Sequence, residues 1–342
     1  MITIKEIAEL MNVSPTTVAN VIHGRTTKVS KENVERIQNA LKEHNYVQKM
    51  GLEALTKGKT RIIAVVIHTC KFYDNTTVGD PFYSLTIGTL EEKIRNTGYF
   101  MMLYINTDLD SIFKMVLSWN VAGIITVTFS QKNYLKIKAI VDCPVVGIDT
   151  YNEGSEPLNC EGHHVTLDDI GAGYQIGSFL IENKFENILV ISDDKQGSSD
   201  LRANGLEQAM KHHGLTLPKY WHILLDSQRR NRTSQFDSLL HLVEKHYAIF
   251  CTSDQLALEV ISFLTDHKCR IPDDFSIVGF DDNPVAKFAV PKLTTMRQDI
   301  PLKSSTAADL LLHQLNGESV PEQIVLLPFS LIVRNSVQLI QK

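Results

Sequence analysis

Apolar residues in the first 46 positions recur at helical spacing. Ile4, Ile7, Ala8 and Met11 stand at i, i+3, i+4 and i+7, one face of a helix. Asn12-Val13-Ser14 breaks that face, and Ser14 followed by Pro15 reads as an N-cap with proline at the first helical position, where its missing N–H costs nothing. A second short helix follows with Val18, Val21 and Ile22 inward. A third opens at Ser30, where Val29 and Val34 occupy the two positions of a hydrophobic staple, and runs through Ile37, Ala40 and Leu41 to Asn45, a residue tolerant of the left-handed C-terminal conformation. Two helices across a tight turn, buttressed by a third, predict a small helix-turn-helix head.

From Arg61 the pattern changes. Short apolar runs rich in Val and Ile, at Ile62–Ile67, Phe100–Ile105, Gly123–Val127, Val145–Ile148, Ile188–Ile191, Ala248–Cys251 and Ser276–Phe280, predict strands buried on both faces. Between them Ser84–Thr97, Asp169–Asn183, Asp200–His213, Ser234–Lys245 and Asp254–Lys268 have helical periodicity. Alternating strands and helices mean βαβ units and parallel sheets. So long a stretch exceeds one typical sheet, so two α/β lobes are expected.

Composition narrows the class. The 43% apolar and 21% charged fractions suit an ordinary globular chain, and no stretch approaches the roughly 20 uncharged residues of a membrane helix. The opening segment is interrupted by Lys5, Glu6 and Glu9 and lacks the pattern of a secretory signal, so a cytoplasmic location is expected. Cys70, Cys143, Cys160, Cys251 and Cys269 are odd in number and free of C-x-x-C spacing, which points away from disulfides and structural zinc toward reduced, packed thiols. The net charge of −5 is uneven. Residues 1 to 60 carry nine Lys/Arg against six Asp/Glu, a charge of +3, which leaves −8 for the remainder. A basic head on an acidic body suits a head that meets a polyanion.

The residues then match a known family. Thr3-Ile4-Lys5-Glu6-Ile7-Ala8, Val13-Ser14-Pro15-Thr16-Thr17-Val18 and Val29-Ser30 resemble the head of lactose-repressor-type (LacI/GalR) regulators. Further blocks follow in the family's order: Arg202-Ala203-Asn204-Gly205, Ser253-Asp254-Gln255-Leu256-Ala257, the run from Pro272 to Asp282, Pro291-Lys292-Leu293-Thr294-Thr295, and the run from Leu327 to Arg334. The resemblance implies a dimer and a periplasmic-binding-protein-like body of two lobes crossed three times by the chain, with an effector cleft between the lobes. The chain departs from the family at Val47-Gln48-Lys49, usually Arg-Pro-Asn, and at Asn20, usually arginine or histidine. It departs again at Ser253, usually asparagine, at Lys184-Phe185, usually Gly-His, and in a longer loop from His68 to Asp80.

The expected architecture is therefore α/β: an all-α helix-turn-helix head over residues 1–46, a hinge segment over 47–60, a first lobe of 61–159 with 300–326, and a second of 160–299 with 327–342. Thr16, Asn20 and His23, flanked by Pro15 and Thr17, form the helix-two face opposite Val18 and would read base edges in the major groove, with Thr3 and Ser14 beside them. Arg25, Lys28 and Lys31 would meet phosphates. Lys49 to Thr56 resembles the family's hinge helix, so Lys49, Leu52 and Leu55 are assigned to DNA, with Leu55 as the minor-groove wedge. By the same resemblance Phe82, Tyr83, Asp149, Arg202, Ser253, Asp254 and Asp281 would line the effector cleft. Their chemistry is coherent: aromatic rings meet the C–H face of a sugar, while carboxylates and a guanidinium take hydroxyl groups in pairs. The same rings would stack on a purine, which leaves a nucleobase as the alternative effector.

The expected partners are double-stranded operator DNA, a second copy of the chain and a small sugar-like effector, with no membrane and no cofactor or metal. Two rival classes fit less well. An enzyme should show a motif such as G-x-S-x-G, G-x-x-x-x-G-K-[ST] or H-E-x-x-H, and none occurs; Gly171-Ala172-Gly173 with Gly177 falls short of G-x-G-x-x-G and reads as a closely packed helix start. A plain solute-binding protein would have the body without the head.

Overall fold

The computed structural model describes residues 2–22, 24–46, 60–69, 77–152, 158, 161–216, 221–226, 229–243 and 246–340. Two compact units divide the chain at residues 59 and 60. The first contains the head helices α1 (Ile4–Met11), α2 (Pro15–Ile22) and α3 (Lys31–Glu43). Each begins on a side-chain cap; those of α2 and α3 were expected from the sequence, that of α1 was not. Thr3 accepts from the Glu6 amide while the Glu6 carboxylate accepts from the Thr3 amide at 2.7 Å, Ser14 accepts from Thr17 N at 3.1 Å, and Ser30 from Asn33 N at 3.3 Å. Asn12 and Asn45 take left-handed φ values of 52° and 46° where α1 and α3 end. Ile7, Ala8, Val18, Val21, Ile37 and Ala40 form a small shared core.

The second unit holds two six-stranded sheets. In chain order its elements are β1 (Ile62–His68), α4 (Pro81–Asn96), β2 (Phe100–Asn106), α5 (Leu109–Trp119), β3 (Gly123–Val127), α6 (Gln131–Ile140), β4 (Val145–Ile148), β5 (His163–Leu167), α7 (Asp169–Glu182), β6 (Ile188–Ser192), α8 (Gly197–His212), β7 (His222–Leu224), α9 (Arg229–Leu240), β8 (Tyr247–Cys251), α10 (Asp254–Asp266), β9 (Phe275–Asp281), β10 (Thr294–Gln298), α11 (Ile300–Leu315), β11 (Gln323–Leu327) and β12 (Phe329–Ile332). The first sheet has the order β11-β5-β4-β3-β1-β2 and is parallel throughout; the second is β12-β10-β9-β8-β6-β7, parallel except at β12.

Strand β1 shows why uncharged runs were needed. Ile63, Val65 and Ile67 pack on one face of the sheet with Leu90, Ile94 and Leu311, while Ala64 and Val66 pack on the other with Ile112 and Val116. Helices on both faces leave no wet side, so alternation is lost. Strand β2 differs from that expectation: it is an edge, and Phe100 is exposed.

Among the described residues the chain passes between sheets three times, after β5, after β10 and after β11. One expected boundary moves. Residue 160 was placed at the start of the second lobe, but β5 pairs with β4 and β11 in the first sheet, so the first crossing comes after Leu167. Its sequence, HHVTL, begins with two histidines, which hid a buried central strand. The predicted helix Ser234–Lys245 also starts earlier, at Arg229, and ends at Leu240.

Candidate functional site

Helix α2 turns Val18 and Val21 into the head core, which leaves Pro15 and Thr16 exposed and Thr17 and Asn20 half-buried on the other side. Arg25, Lys28 and Lys31 follow, all exposed. The hydroxyls of Thr3 and Ser14 are engaged in the helix caps, and Ser14 also meets the Thr17 hydroxyl at 2.9 Å. His23, Lys49, Leu52 and Leu55 lie outside the described residues, as does the rest of the segment 47–59.

The body carries a cleft between its two sheets, lined where their strands end. The first lobe supplies His68 at the end of β1 and Thr69 after it, Phe82 and Tyr83 on α4, Thr128 after β3 and Asp149 after β4; the second supplies Asp193 and Asp194 after β6, Arg202 on α8, Thr252 and Ser253 after β8, Asp281 on β9 and Gln298 on β10. Open parallel sheets bind ligands at these carboxyl ends, because the side chains there face a crevice rather than a helix layer. Three of these strand ends are strained. Thr128, Asp149 and Asp281 have φ of 57°, 49° and 117°, each a conformation L-residues avoid at a cost of about 1–3 kcal/mol.

Six of the seven residues expected in the cleft meet there, in a hydrogen-bonded frame. The Arg202 guanidinium donates to Asp169 Oδ1 at 2.8 Å and to the Thr252 carbonyl at 2.8 Å, and lies 3.5 Å over the centre of the Phe280 ring. Phe82 and Tyr83 stand edge to face, with ring centres 5.2 Å apart. Ser253 caps α10 by accepting from Leu256 N at 3.3 Å. Asp281 accepts from Gln298 Nε2 at 2.5 Å, and burial pushes its carboxyl up to about 7, against the opposing pull of Arg202 and of that hydrogen bond. Burial also raises the Tyr83 phenol, and Asp80, Asp193 and Asp149 add to the effect.

Asp254 is the exception and corrects the expected set. It is fully buried and turned away from the cleft, accepting from Thr295 Oγ1 at 2.6 Å and from Asn283 N at 2.8 Å. Burial and the neighbouring Asp281 hold it well above the ordinary carboxylate range. Its work is to tie α10 to the turn after β9 and to β10.

Sequence reasoning missed Lys303, Gln298 and Asp169. Lys303 is 1% exposed and donates to both Asp149 oxygens, at 2.7 and 2.9 Å, and to Gln298 Oε1 at 2.5 Å. The signal was available. Lys303 stands one helical turn from Ala307 and two from Leu311, on the apolar face of α11, where an unpaired lysine would be very costly. Among the described residues no group of His, Cys, Asp or Glu could hold a metal ion, and no helix is long and apolar enough to cross a membrane.

Comparison with known proteins agrees with this geometry. Residues 3–49 match the family described as bacterial regulatory proteins, lacI family, and residues 178–337 match the periplasmic binding protein-like domain. The chain is similar to the HTH-type transcriptional repressor PurR of Histophilus somni (strain 2336), 26% identical with 99% of each chain covered, and to that of Haemophilus influenzae (strain PittEE), 28% identical with the same coverage. Among solved structures it is similar to the lac repressor dimer bound to operator and the anti-inducer ONPF, with a TM-score of 0.82 at 20% identity over 98% of both chains. It is also similar to the transcriptional regulator CelR in complex with cellobiose, with a TM-score of 0.70 at 23% identity over 98% of this chain and 100% of that one. At these identities the structural likeness speaks for fold alone. The head, the two-lobed body and the full-length relatives converge: the chain carries a helix-turn-helix domain matching the lacI family of bacterial regulatory proteins and a periplasmic binding protein-like domain, and over its full length it is similar to transcriptional repressors.

Proposed function

We propose that the chain is a repressor that binds a palindromic operator in double-stranded DNA as a homodimer, and that a small sugar or sugar derivative in the interlobe cleft shifts its operator affinity. The observation that carries this reading is the union in one chain of a capped helix-turn-helix head and a cleft framed by strand ends of two sheets. Relatives described as repressors, and structures of similar fold holding operator or cellobiose, support it. In this reading Thr16, Thr17 and Asn20 face base edges with His23, and Arg25, Lys28 and Lys31 face phosphates. Lys49, Leu52 and Leu55 belong to a hinge in residues 47–60, between the head and a body whose first lobe runs to Leu167. Its place of action is the cytoplasm, beside the DNA.

In the cleft, Arg202 and Asp281 take ligand hydroxyls while Phe82 and Tyr83 cover a ring face. The cleft's free space is about 150 Å³, room for a ring-sized ligand. A mobility-shift assay with duplexes selected from a random pool tests the reading, repeated with a panel of monosaccharides, their phosphates and nucleobases. Preference for a two-fold symmetric site, with affinity changed by at least one small molecule, is the expected result. Equal binding to random DNA would sink it.

A further inference from the structure

The cleft floor contains a chain of buried polar groups that runs from one lobe to the other. Asp149 follows β4 in the first lobe, Lys303 stands on α11 beside it, Gln298 ends β10 at the second crossing, and Asp281 ends β9 in the second lobe. Their exposures are 4%, 1%, 4% and 6%. An ammonium has three N–H donors. Here two go to Asp149 and the third to Gln298 Oε1, so all three are accounted for. That last bond fixes the carboxamide. With Oε1 held by Lys303, Nε2 faces Asp281 Oδ1, 2.5 Å away.

We propose that Lys303 is a positioning residue that, by fixing the orientation of the Gln298 amide, ties the cleft carboxylate Asp281 to the crossing between β10 and α11. A ligand donor that binds Asp281 Oδ1 shares that oxygen with Gln298 Nε2 and competes with it. The amide's second anchor is weakened, and the change is felt at the crossing where one lobe becomes the other. Occupancy of the cleft is thereby transmitted to the β10–α11 crossing between the lobes through four side chains. The regulatory meaning of this link rests on the effector reading of the cleft, but the link itself is a property of the ligand-free body and is tested there.

Hydrogen exchange on the full-length, ligand-free protein reads it. Gln298→Ala cuts the chain at the crossing and leaves the Asp149–Lys303 pair intact. Exchange of the amides at 281–283 and 299–303 should rise about tenfold or more, the scale of losing a hydrogen bond to a charged group, while β1, β3, β6 and β8 keep their protection. Lys303→Met should give the same local rise together with a lower melting temperature, because Asp149 is left buried without its counter-ion. The neutral double variant Lys303→Met/Asp149→Asn should recover melting temperature but not protection at 281–283 and 299–303. Recovery of protection in the double variant would reduce Lys303 to a counter-ion for Asp149 and overturn the inference. So would unchanged exchange in Gln298→Ala. Neither outcome touches the operator and sugar assays, which test the effector reading separately.

Discussion

Arg202 and Asp281 are held by protein partners before any ligand arrives, so their rotamers are set in advance. Arg202→Ala should leave operator affinity at the wild-type level and shift the response to the sugar that elicits it to about ten- to 150-fold higher concentration, because losing a charged hydrogen bond costs about 1.5–3 kcal/mol. Operator affinity measured with and without that sugar checks this; a wild-type response would remove Arg202 from the site. Asp281 makes a second prediction. Burial pushes its carboxyl up from the ordinary carboxylate range to about 7, so the protonated form fits the fold better. A raised carboxyl contributes stability that is complete below the unfolded value and is lost as pH rises through the folded one. The melting temperature of the wild type relative to Asp281→Asn should therefore fall between about pH 4 and pH 7 and level off above; a flat difference would contradict the shift. Asp254 marks the limit of sequence reading at this scale. It and Asp281 both stand where a strand gives way to a turn or helix, and sequence spacing does not say that one carboxylate faces the crevice and the other a neighbouring loop. Lys303, by contrast, was legible as a misfit on an apolar helix face once that helix was recognised.

At the scale of elements, the strands rich in Val and Ile could be read because a two-faced core demands them. Those that escaped have other means of satisfaction. Strand β10 is built from TTMRQ, with Thr294 bonded through its amide to Ser336 and Thr295 to Asp254, so polar side chains stand in a buried strand. Strand β7 is three residues long, and β11 and β12 are only half-buried at sheet edges, too little pattern for periodicity to register. The packing of α7 on α8 was partly visible in Gly171-Ala172-Gly173 and Gly177. The structure supplies the other half: a Cβ on Gly173 would lie 2.0 Å from the Arg202 carbonyl oxygen, and one on Gly205 would lie 2.0 Å from that of Ile170. These are backbone atoms that cannot swing aside. Gly205→Ala should therefore push the helices apart and cost more than about 2 kcal/mol, a fall of roughly 5 °C or more in melting temperature for a body of this size. It should also weaken effector response, since Arg202 on α8 reaches Asp169 on α7 across that contact. A variant with wild-type melting temperature would show that the helices have room to give.

For the whole molecule, charge asymmetry makes the next prediction. Arg25, Lys28 and Lys31 are exposed in the head, so a dimer presents six such cations. If each meets a phosphate, the logarithm of operator affinity should fall against the logarithm of salt with a slope of about −5, and Lys28→Ala should make that slope shallower by about two. Titrations at a series of salt concentrations decide it, and a Lys28→Ala slope equal to wild type would take that residue off the phosphate backbone. The body adds a constraint of another kind. Its lobes are joined by three separate strands of chain, and at the last of these only Pro328 stands between β11 and β12. Two free bodies have six ways to move relative to each other; three short tethers at one edge suppress sliding and separation and leave essentially one rotation. Whatever enters the cleft can then only push that single coordinate forward or back. Molecules of unrelated chemistry would differ in the sign and strength of their effect, not in its kind, so one protein of this design can acquire an agonist or an antagonist by changing a few cleft residues without rebuilding the path to the DNA.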